Sequence, residues 1–149
     1  MKGLPMKIDV KIITDGAVLP KRATELSAGA DLYACLDKDI VIKPRERVLI
    51  PTGIAIAVPE GYGGFVFPRS GTASKYGISL SNCVGVIDSD YRGEVKIPVI
   101  NHGTEDYVIH DKDRVAQLVI MPVDLCEFNE CDDLGTTDRN DGGFGSTGK

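Results

Sequence analysis

The sequence predicts an all-β domain, a sandwich or a barrel, and a jelly roll is one way to build it. Short apolar or alternating runs, many of them rich in Val and Ile, recur along most of the chain. Turn clusters separate these runs at a spacing of roughly eight to twelve residues, which is typical of such folds. Only residues 70–77 are compatible with a helix, so helices are expected to contribute little.

The expected strands, about ten in number, are separated by turns that contain Gly, Pro, Asn or Asp. The first run precedes the turn TDGAVLPK, the third precedes KPRE and the fourth precedes PEGYGG. The turns NHGTED and HDKDR flank one of the last runs. In chain order the runs are KIDVKII, ADLYACL, DIVIKP, RVLIPTGIAIAV, GGFVFPRS, GISLSNCVGVI, GEVKIPVINH, DYVIH and RVAQLVIMPV.

The stretch SGTASKYG, residues 70–77, predicts a helix of barely two turns. Ser70 is expected to cap its start, because a Ser hydroxyl can accept a hydrogen bond from a backbone N–H of the first turn. Gly77 is expected to end the helix in the left-handed conformation, which costs glycine little.

The 149 residues are the size of one ordinary domain, and residues 1–131 are assigned to it. The composition then changes, because DDLGTTDRNDGGFGSTGK, residues 132–149, has five Gly, no β-branched aliphatic residue and one aromatic residue, Phe144. Such a stretch cannot pack a core of its own. It is expected to form a mobile C-terminal arm.

The charge balance argues against DNA or RNA as the main partner. The formal net charge is -5, and the chain has no block rich in Lys or Arg. Proteins that bind a phosphate backbone need a positive face. A small anionic ligand held by a few placed cations stays compatible with this balance.

The four cysteines, Cys35, Cys83, Cys126 and Cys131, are expected to be reduced structural thiols. Cys35 and Cys83 stand alone in apolar surroundings. Cys126 and Cys131 have no histidine nearby, and zinc would need a better-spaced set of ligands.

No run approaches the roughly 18 apolar residues of a membrane span. The start MKGLPMKIDVKII lacks the apolar core and the cleavage site of a signal peptide. A cytoplasmic protein without a membrane contact is therefore expected, and a removed organelle presequence is the alternative.

The end of the chain, GGFGSTGK, fits the start of a phosphate-binding loop, G-x-x-x-x-G-K. A true loop of that kind lies between a strand and a helix and has Ser or Thr after its Lys. Here the sequence stops at Lys149, so this interpretation fails on context. Two alternatives stay open: a plain tail, or an arm in which Phe144, free amides and Arg139 close over a nucleotide.

Five segments in order resemble the motifs of the homotrimeric dUTPase family, the deoxyuridine triphosphate nucleotidohydrolases. They are AGADLYA (28–34), PRSGTASKYGI (68–78), GVIDSDYRGEVKI (85–97), DRVAQLVI (113–120) and RNDGGFGSTG (139–148). The match covers nearly the whole chain. One small departure is Asn140, where the family pattern leads us to expect Gly.

The resemblance implies a jelly-roll subunit, three per assembly, with active sites shared between subunits and a C-terminal arm that closes over a site. The implied reaction converts dUTP and water to dUMP and pyrophosphate with Mg²⁺. It would keep uracil out of DNA and supply dUMP for thymidylate synthesis.

The resemblance also implies roles for individual residues. Asp88, the first Asp of IDSDYRGE, is the expected general base, because it matches the catalytic aspartate of the family. Residues 82–93 match the uracil-binding hairpin, in which Asn82, Val86 and Ile87 line the pocket. Tyr91 is expected to pack against the deoxyribose and obstruct a 2′-hydroxyl.

The remaining implied contacts concern the triphosphate and the metal. Asp31 is expected to organise the Mg²⁺ shell through water, so that no protein group binds the metal directly. Asp113 and Arg114 are expected to pair structurally instead. The expected phosphate and substrate contacts are Arg69, Ser70, the Gly71 amide, Lys96, Gln117 and, in the arm, Arg139, Phe144 stacked on uracil, Gly145, Ser146 and Thr147.

Two rival functions remain at this level. A dCTP deaminase shares the fold but needs groups that expel the cytosine amine, and no motif for them is present. A jelly-roll binding protein that keeps the nucleotide pocket without turnover is the non-enzymatic alternative.

Overall fold

A computed structural model describes residues 6–143, which fold into eleven β-strands and one short α-helix. This confirms the all-β prediction. The elements in chain order are β1 (Asp9–Ile12), β2 (Ala30–Tyr33), β3 (Ile40–Ile42), β4 (Arg47–Pro51), β5 (Ile54–Ala57), β6 (Tyr62–Phe67), α1 (Ser70–Tyr76), β7 (Ile78–Leu80), β8 (Gly85–Ile87), β9 (Lys96–Asn101), β10 (Tyr107–Ile109) and β11 (Arg114–Pro122).

The strands pair antiparallel throughout the described residues. One sheet has four strands in the order β2-β11-β6-β8, and another has three in the order β4-β9-β7. Strands β1 with β5 and β3 with β10 form two-stranded ribbons. Most neighbours are distant in sequence, so the chain crosses repeatedly between sheets, as in a jelly roll. Within residues 6–143 the sheets stay separate and do not close into a barrel.

Two of the predicted runs each form two strands. RVLIPTGIAIAV breaks at Gly53, whose φ of +67° is unfavourable for other residues and whose added Cβ would lie 2.8 Å from the Ala17 Cβ. GISLSNCVGVI breaks at a turn where Cys83 has a φ of 63°. The second break sends β7 and β8 into different sheets, and this crossing opens the cavity described below.

The core lies between the sheets and is almost entirely aliphatic. Among residues 6–143, two polar side chains are fully buried, Thr52 and Asn101, and both are hydrogen-bonded. The Asn101 Nδ2 donates to the carbonyls of Ile42 and Glu105, each at 2.8 Å. The largest fully buried apolar side chains are Leu32, Ile42, Ile50, Ile54, Ile56, Ile97, Val99 and Ile109.

The helix ends as predicted and begins differently. Gly77 is left-handed with a φ of 71°, and its N–H donates to the Ala73 carbonyl at 3.0 Å. The expectation that Ser70 caps the start is wrong, because Ser70 is already the first helical residue. Arg69, with an extended backbone, occupies the cap position without a capping side-chain hydrogen bond. In the part of the chain that the structure covers, no helix has the length and apolarity needed to cross a membrane.

The four thiols are free, but their surroundings differ from one another. Cys35 is partly buried, and burial, reinforced by the Asp111 carboxylate, raises the pKa of its thiol. Cys83 is exposed, so the expectation of apolar surroundings is wrong there: its turn lies at the surface. Cys126 and Cys131 are exposed in the segment after β11.

The described segment after β11, residues 123–143, contains no helix or strand and is mostly exposed. Its large apolar side chains are exposed to solvent: the Phe128 side chain is 96% exposed and the Leu134 side chain 93%. Near its end, Thr137 and Asn140 exchange two hydrogen bonds of 3.0 Å each. Phe144, Gly145, Ser146 and Thr147 lie outside the described residues, and the division into a domain and a mobile arm stays a prediction.

Candidate active site

A cavity of about 450 Å³ opens where the chain passes between the two larger sheets. Strand β7 belongs to the three-stranded sheet and β8 to the four-stranded one, so each sheet supplies a wall. This cavity is lined by the five residues predicted within the uracil-binding segment, Asn82, Val86, Ile87, Asp88 and Tyr91, and by Lys96, which is predicted as a further substrate contact. The cavity wall also includes Leu49, Leu80 and Glu94.

The alternation of strand β8 decides which side chains face the cavity. Ile87 is buried in the core, whereas Val86 is 63% exposed and presents an apolar surface. The turn before this strand is tight, because the Val84 N–H donates to the Asn82 carbonyl at 2.7 Å. Gly85 fits closely against β6, since an added Cβ would lie 3.2 Å from the Val66 Cβ.

Asp88 directly follows β8 and is exposed at the rim of the cavity. Its backbone carbonyl accepts the Tyr91 N–H at 3.2 Å, so the residue begins a turn. Within residues 6–143 its carboxylate has no ion-pair partner, and it is therefore available to accept a proton from water.

The turn after Asp88 fixes the Tyr91 ring. The Tyr91 hydroxyl donates to the Glu94 carbonyl at 2.9 Å. Gly93 leaves the space for this contact, because an added Cβ would lie 2.4 Å from the Tyr91 Oη. Arg92 closes the turn by donating to the Ser89 carbonyl at 2.7 Å.

A second group of predicted residues lines a different cavity, of about 420 Å³. Asp31, Arg69, Ser70, Gly71 and Gln117 all contribute to it, beside the loop of residues 23–29. Gln117 pairs with Asp31 on one side and with Phe67 on the other, so the sheet register places these motifs side by side.

The second cavity is built around a nearly buried carboxylate. The Asp31 side chain is 13% exposed and accepts from Arg69 Nε at 2.9 Å and from Arg114 Nη1 at 3.4 Å. The structural pairing expected of Arg114 is thus with Asp31. Asp113 instead accepts the His110 N–H at 2.8 Å. These cations and the Gln117 amide form a region suited to an anion.

The two cavities lie far apart on one chain. Asp31 lies on edge strand β2 and Asp88 follows the opposite edge strand β8, three strand spacings or about 14 Å across. Along β6, Gly64 pairs with Ile87 and Phe67 with Gln117, which adds about 10 Å. Within one chain, the expected general base therefore lies far from the expected phosphate contacts.

Arg139 is exposed, and its Nε donates to the Gly142 carbonyl at 2.7 Å rather than lining either cavity. Among residues 6–143 no group of three His, Cys, Asp or Glu side chains is arranged to hold a metal ion. Glu94, which lines the first cavity, could not be predicted from the sequence, because its contacts depend on loop geometry.

Gly29→Ala is expected to lower kcat/KM for dUTP, the substrate that the resemblance implies, by roughly 10- to 100-fold. An added Cβ would lie 2.4 Å from the Gln117 Oε1 and would displace this side chain, which is an expected phosphate contact. Steady-state kinetics measure this. Gln117→Ala removes the Oε1 and Cδ atoms and leaves only the Cβ, at 3.2 Å from the added methyl, so adding Gly29→Ala to it should cost little further. An additional loss in the double variant would contradict the explanation.

A family model described as dUTPase matches residues 15–148. The deoxyuridine 5'-triphosphate nucleotidohydrolase of Syntrophotalea carbinolica is 52% identical over 141 residues, covering 95% of this chain and 96% of the relative. The enzyme of the same name from Finegoldia magna is 54% identical over 140 residues, covering 93% and 98%.

Solved structures agree with these relatives. The dUTPase of Staphylococcus bacteriophage 80alpha with dUPNHPP superposes with a TM-score of 0.87 and 27% identity, covering 96% of this chain and 99% of that one. A dUTPase variant from phage phi11 of S. aureus, solved to show a structural Mg(II) ion, gives a TM-score of 0.79 and 26% identity, covering 87% and 99%. The predicted resemblance is confirmed, and the chain belongs to the dUTPase family.

Proposed function

We propose that this protein hydrolyses dUTP to dUMP and pyrophosphate with Mg²⁺. The observation that carries the proposal is the cavity lined by the chain segment that connects β7 to β9. Five residues expected to contact uracil, the sugar or the attacking water meet there: Asn82, Val86, Ile87, Asp88 and Tyr91. The 52% identity to a deoxyuridine 5'-triphosphate nucleotidohydrolase supports the same activity.

Uracil recognition is assigned to the backbone of residues 82–93 and to the side chains of Asn82, Val86 and Ile87, which line the cavity. Uracil offers two carbonyl acceptors and one N–H donor, which hairpin amides and carbonyls can match. Cytosine would leave buried groups unpaired, at about 1–3 kcal/mol for each. A close fit would also exclude the thymine methyl, and the tethered Tyr91 would obstruct a 2′-hydroxyl.

Asp88 is assigned as the general base. It would take a proton from water as the water oxygen bonds to the α-phosphorus and the bond to the departing pyrophosphate breaks. Because an aspartate is a weak base, positioning would supply much of the rate. The exposed carboxylate at the cavity rim suits this role.

The second cavity is assigned to the phosphate chain. Arg69, Gln117, the Ser70 hydroxyl and the Gly71 amide would contact its oxygens. Mg²⁺, when bound, would offset charge on the triphosphate and the leaving pyrophosphate. Asp31 already accepts from two arginines, which fits a role in orienting metal-bound water better than direct ligation.

The proposed active form is a homotrimer in which neighbouring copies complete each site. One chain holds the two cavities at opposite edges and ends of the same sheet, which supports completion by another copy. The arm from Arg139 onward would then close over the site, with Phe144 on uracil and Gly145 and Ser146 supplying polar contacts.

One assay tests the function: pyrophosphate release from dUTP, dTTP, dCTP and UTP with Mg²⁺. We expect release from dUTP far above the other three. Equal release from UTP, or no release from dUTP, would overturn the proposal. Ammonia release from dCTP would favour the deaminase, and tight dUTP binding without release would favour a binding protein. Light scattering tests the trimer.

A further inference from the structure

Glu94 lies in the wall of the 450 Å³ cavity lined by Asn82, Val86, Ile87, Asp88 and Tyr91, which we call the hairpin cavity after the motif that these residues match. Its Oε1 accepts the Gly53 N–H at 2.9 Å, and its Oε2 lies 3.4 Å from the Lys96 Nζ. The Glu94 side chain is 20% exposed, whereas Lys96 is 48% exposed and open to the cavity. One carboxylate therefore connects the β4–β5 turn to a cation of the cavity wall.

The first contact anchors the loop between β8 and β9. Gly53 is buried, and a buried N–H requires an acceptor. Two further hydrogen bonds lie beside it: the Thr52 hydroxyl donates to the Val95 carbonyl at 2.5 Å, and the Val95 N–H donates to the Ile54 carbonyl at 2.8 Å. The loop that carries Asp88 and Tyr91 is thus fastened at this end.

The second contact concerns the Lys96 ammonium. A lysine on a flexible stem samples many rotamers, and holding it in one costs side-chain entropy. An ion pair this exposed adds little to stability, so its main effect is on where the ammonium lies. A carboxylate in this wall would otherwise repel an anionic nucleotide.

We infer that Glu94 is a positioning residue, which holds Lys96 for the substrate and keeps the Tyr91 loop on the β4–β5 turn. This rests on the proposed function, since Lys96 serves there as a substrate contact. The backbone of Glu94 contributes as well, because its carbonyl receives the Tyr91 hydroxyl. A variant that changes only the charge of the Glu94 side chain therefore tests the contact with Lys96 separately from the contacts with Gly53 and Tyr91.

Glu94→Gln keeps an oxygen for the Gly53 N–H and removes the charge that faces Lys96. We expect KM for dUTP to rise about fivefold, with kcat and the unfolding temperature close to wild type. Lys96→Met should raise KM to a similar extent. The double variant should match either single one, because both changes remove the same interaction. Steady-state kinetics and thermal unfolding give these values.

Glu105→Gln is the matched control, because it removes one exposed carboxylate away from the cavity and should leave KM unchanged. Glu94→Ala also removes the Gly53 acceptor and should lower the unfolding temperature. Two outcomes would overturn the role of Glu94 and leave the proposed function standing. One is a double variant, Glu94→Gln with Lys96→Met, whose rise in KM is the product of the two single rises. The other is a KM in Glu94→Gln that is unchanged or lower. A wild-type protein inactive on dUTP would overturn the proposed function, and this inference with it.

Discussion

Asp88→Asn is expected to lower kcat for dUTP by about 10²- to 10⁴-fold while substrate binding is retained. The amide has nearly the same shape, so the cavity formed by the hairpin stays intact. It cannot take a proton from water, however, because an amide oxygen is a far weaker base than a carboxylate. Single-turnover rates measure the loss, and calorimetry with a non-hydrolysable dUTP analogue measures binding.

The neighbouring acid provides the control for this variant. Asp90 is exposed in the same turn, two residues further along, and lines no part of the hairpin cavity. Asp90→Asn makes the same chemical change and should alter kcat by no more than about twofold. Full activity in Asp88→Asn would remove Asp88 as the base, and equal losses in both variants would point to the charge of the turn instead.

Strand positions were predictable because alternation and β-branched residues are local properties of the sequence. What could not be read locally is where a run changes sheet. RVLIPTGIAIAV appears continuous, yet Gly53 turns it with a positive φ, and its fit depends on Ala17 from a distant segment. The start of the helix was misjudged for a similar reason: Arg69, whose side chain is held by Asp31, takes the position expected of Ser70.

The residues of the hairpin cavity were predictable as a set because one continuous segment supplies most of them. Contacts between segments that are distant in the sequence were harder to predict. Arg114 meets Asp31 across 83 residues of sequence, and Glu94 meets Gly53 across 41. The first contact depends on sheet register and the second on the geometry of two loops, and no motif records either of them. The separation of the two cavities was equally hidden, since it follows from strand order and from the register along β6.

Deletion of residues 139–149 is expected to leave a folded oligomer and to lower kcat/KM for dUTP on the order of 100-fold. In the described part of the chain, the buried core ends at Leu118, and residues 123–143 add nothing to it. The free energy of unfolding should therefore barely change. Loss of the arm would instead leave the bound nucleotide open to water and without the Arg139 and Phe144 contacts.

Point variants separate the lid from its individual contacts. Arg139→Met should lose less activity than the deletion, because the rest of the arm can still close, and Phe144→Ala should weaken discrimination by base. Circular dichroism and light scattering check that the deleted protein stays folded and assembled, and kinetics measure the loss. A deleted protein with normal kcat/KM would show that the arm is a plain tail. A deleted protein that dissociates would show instead that residues 139–149 serve assembly.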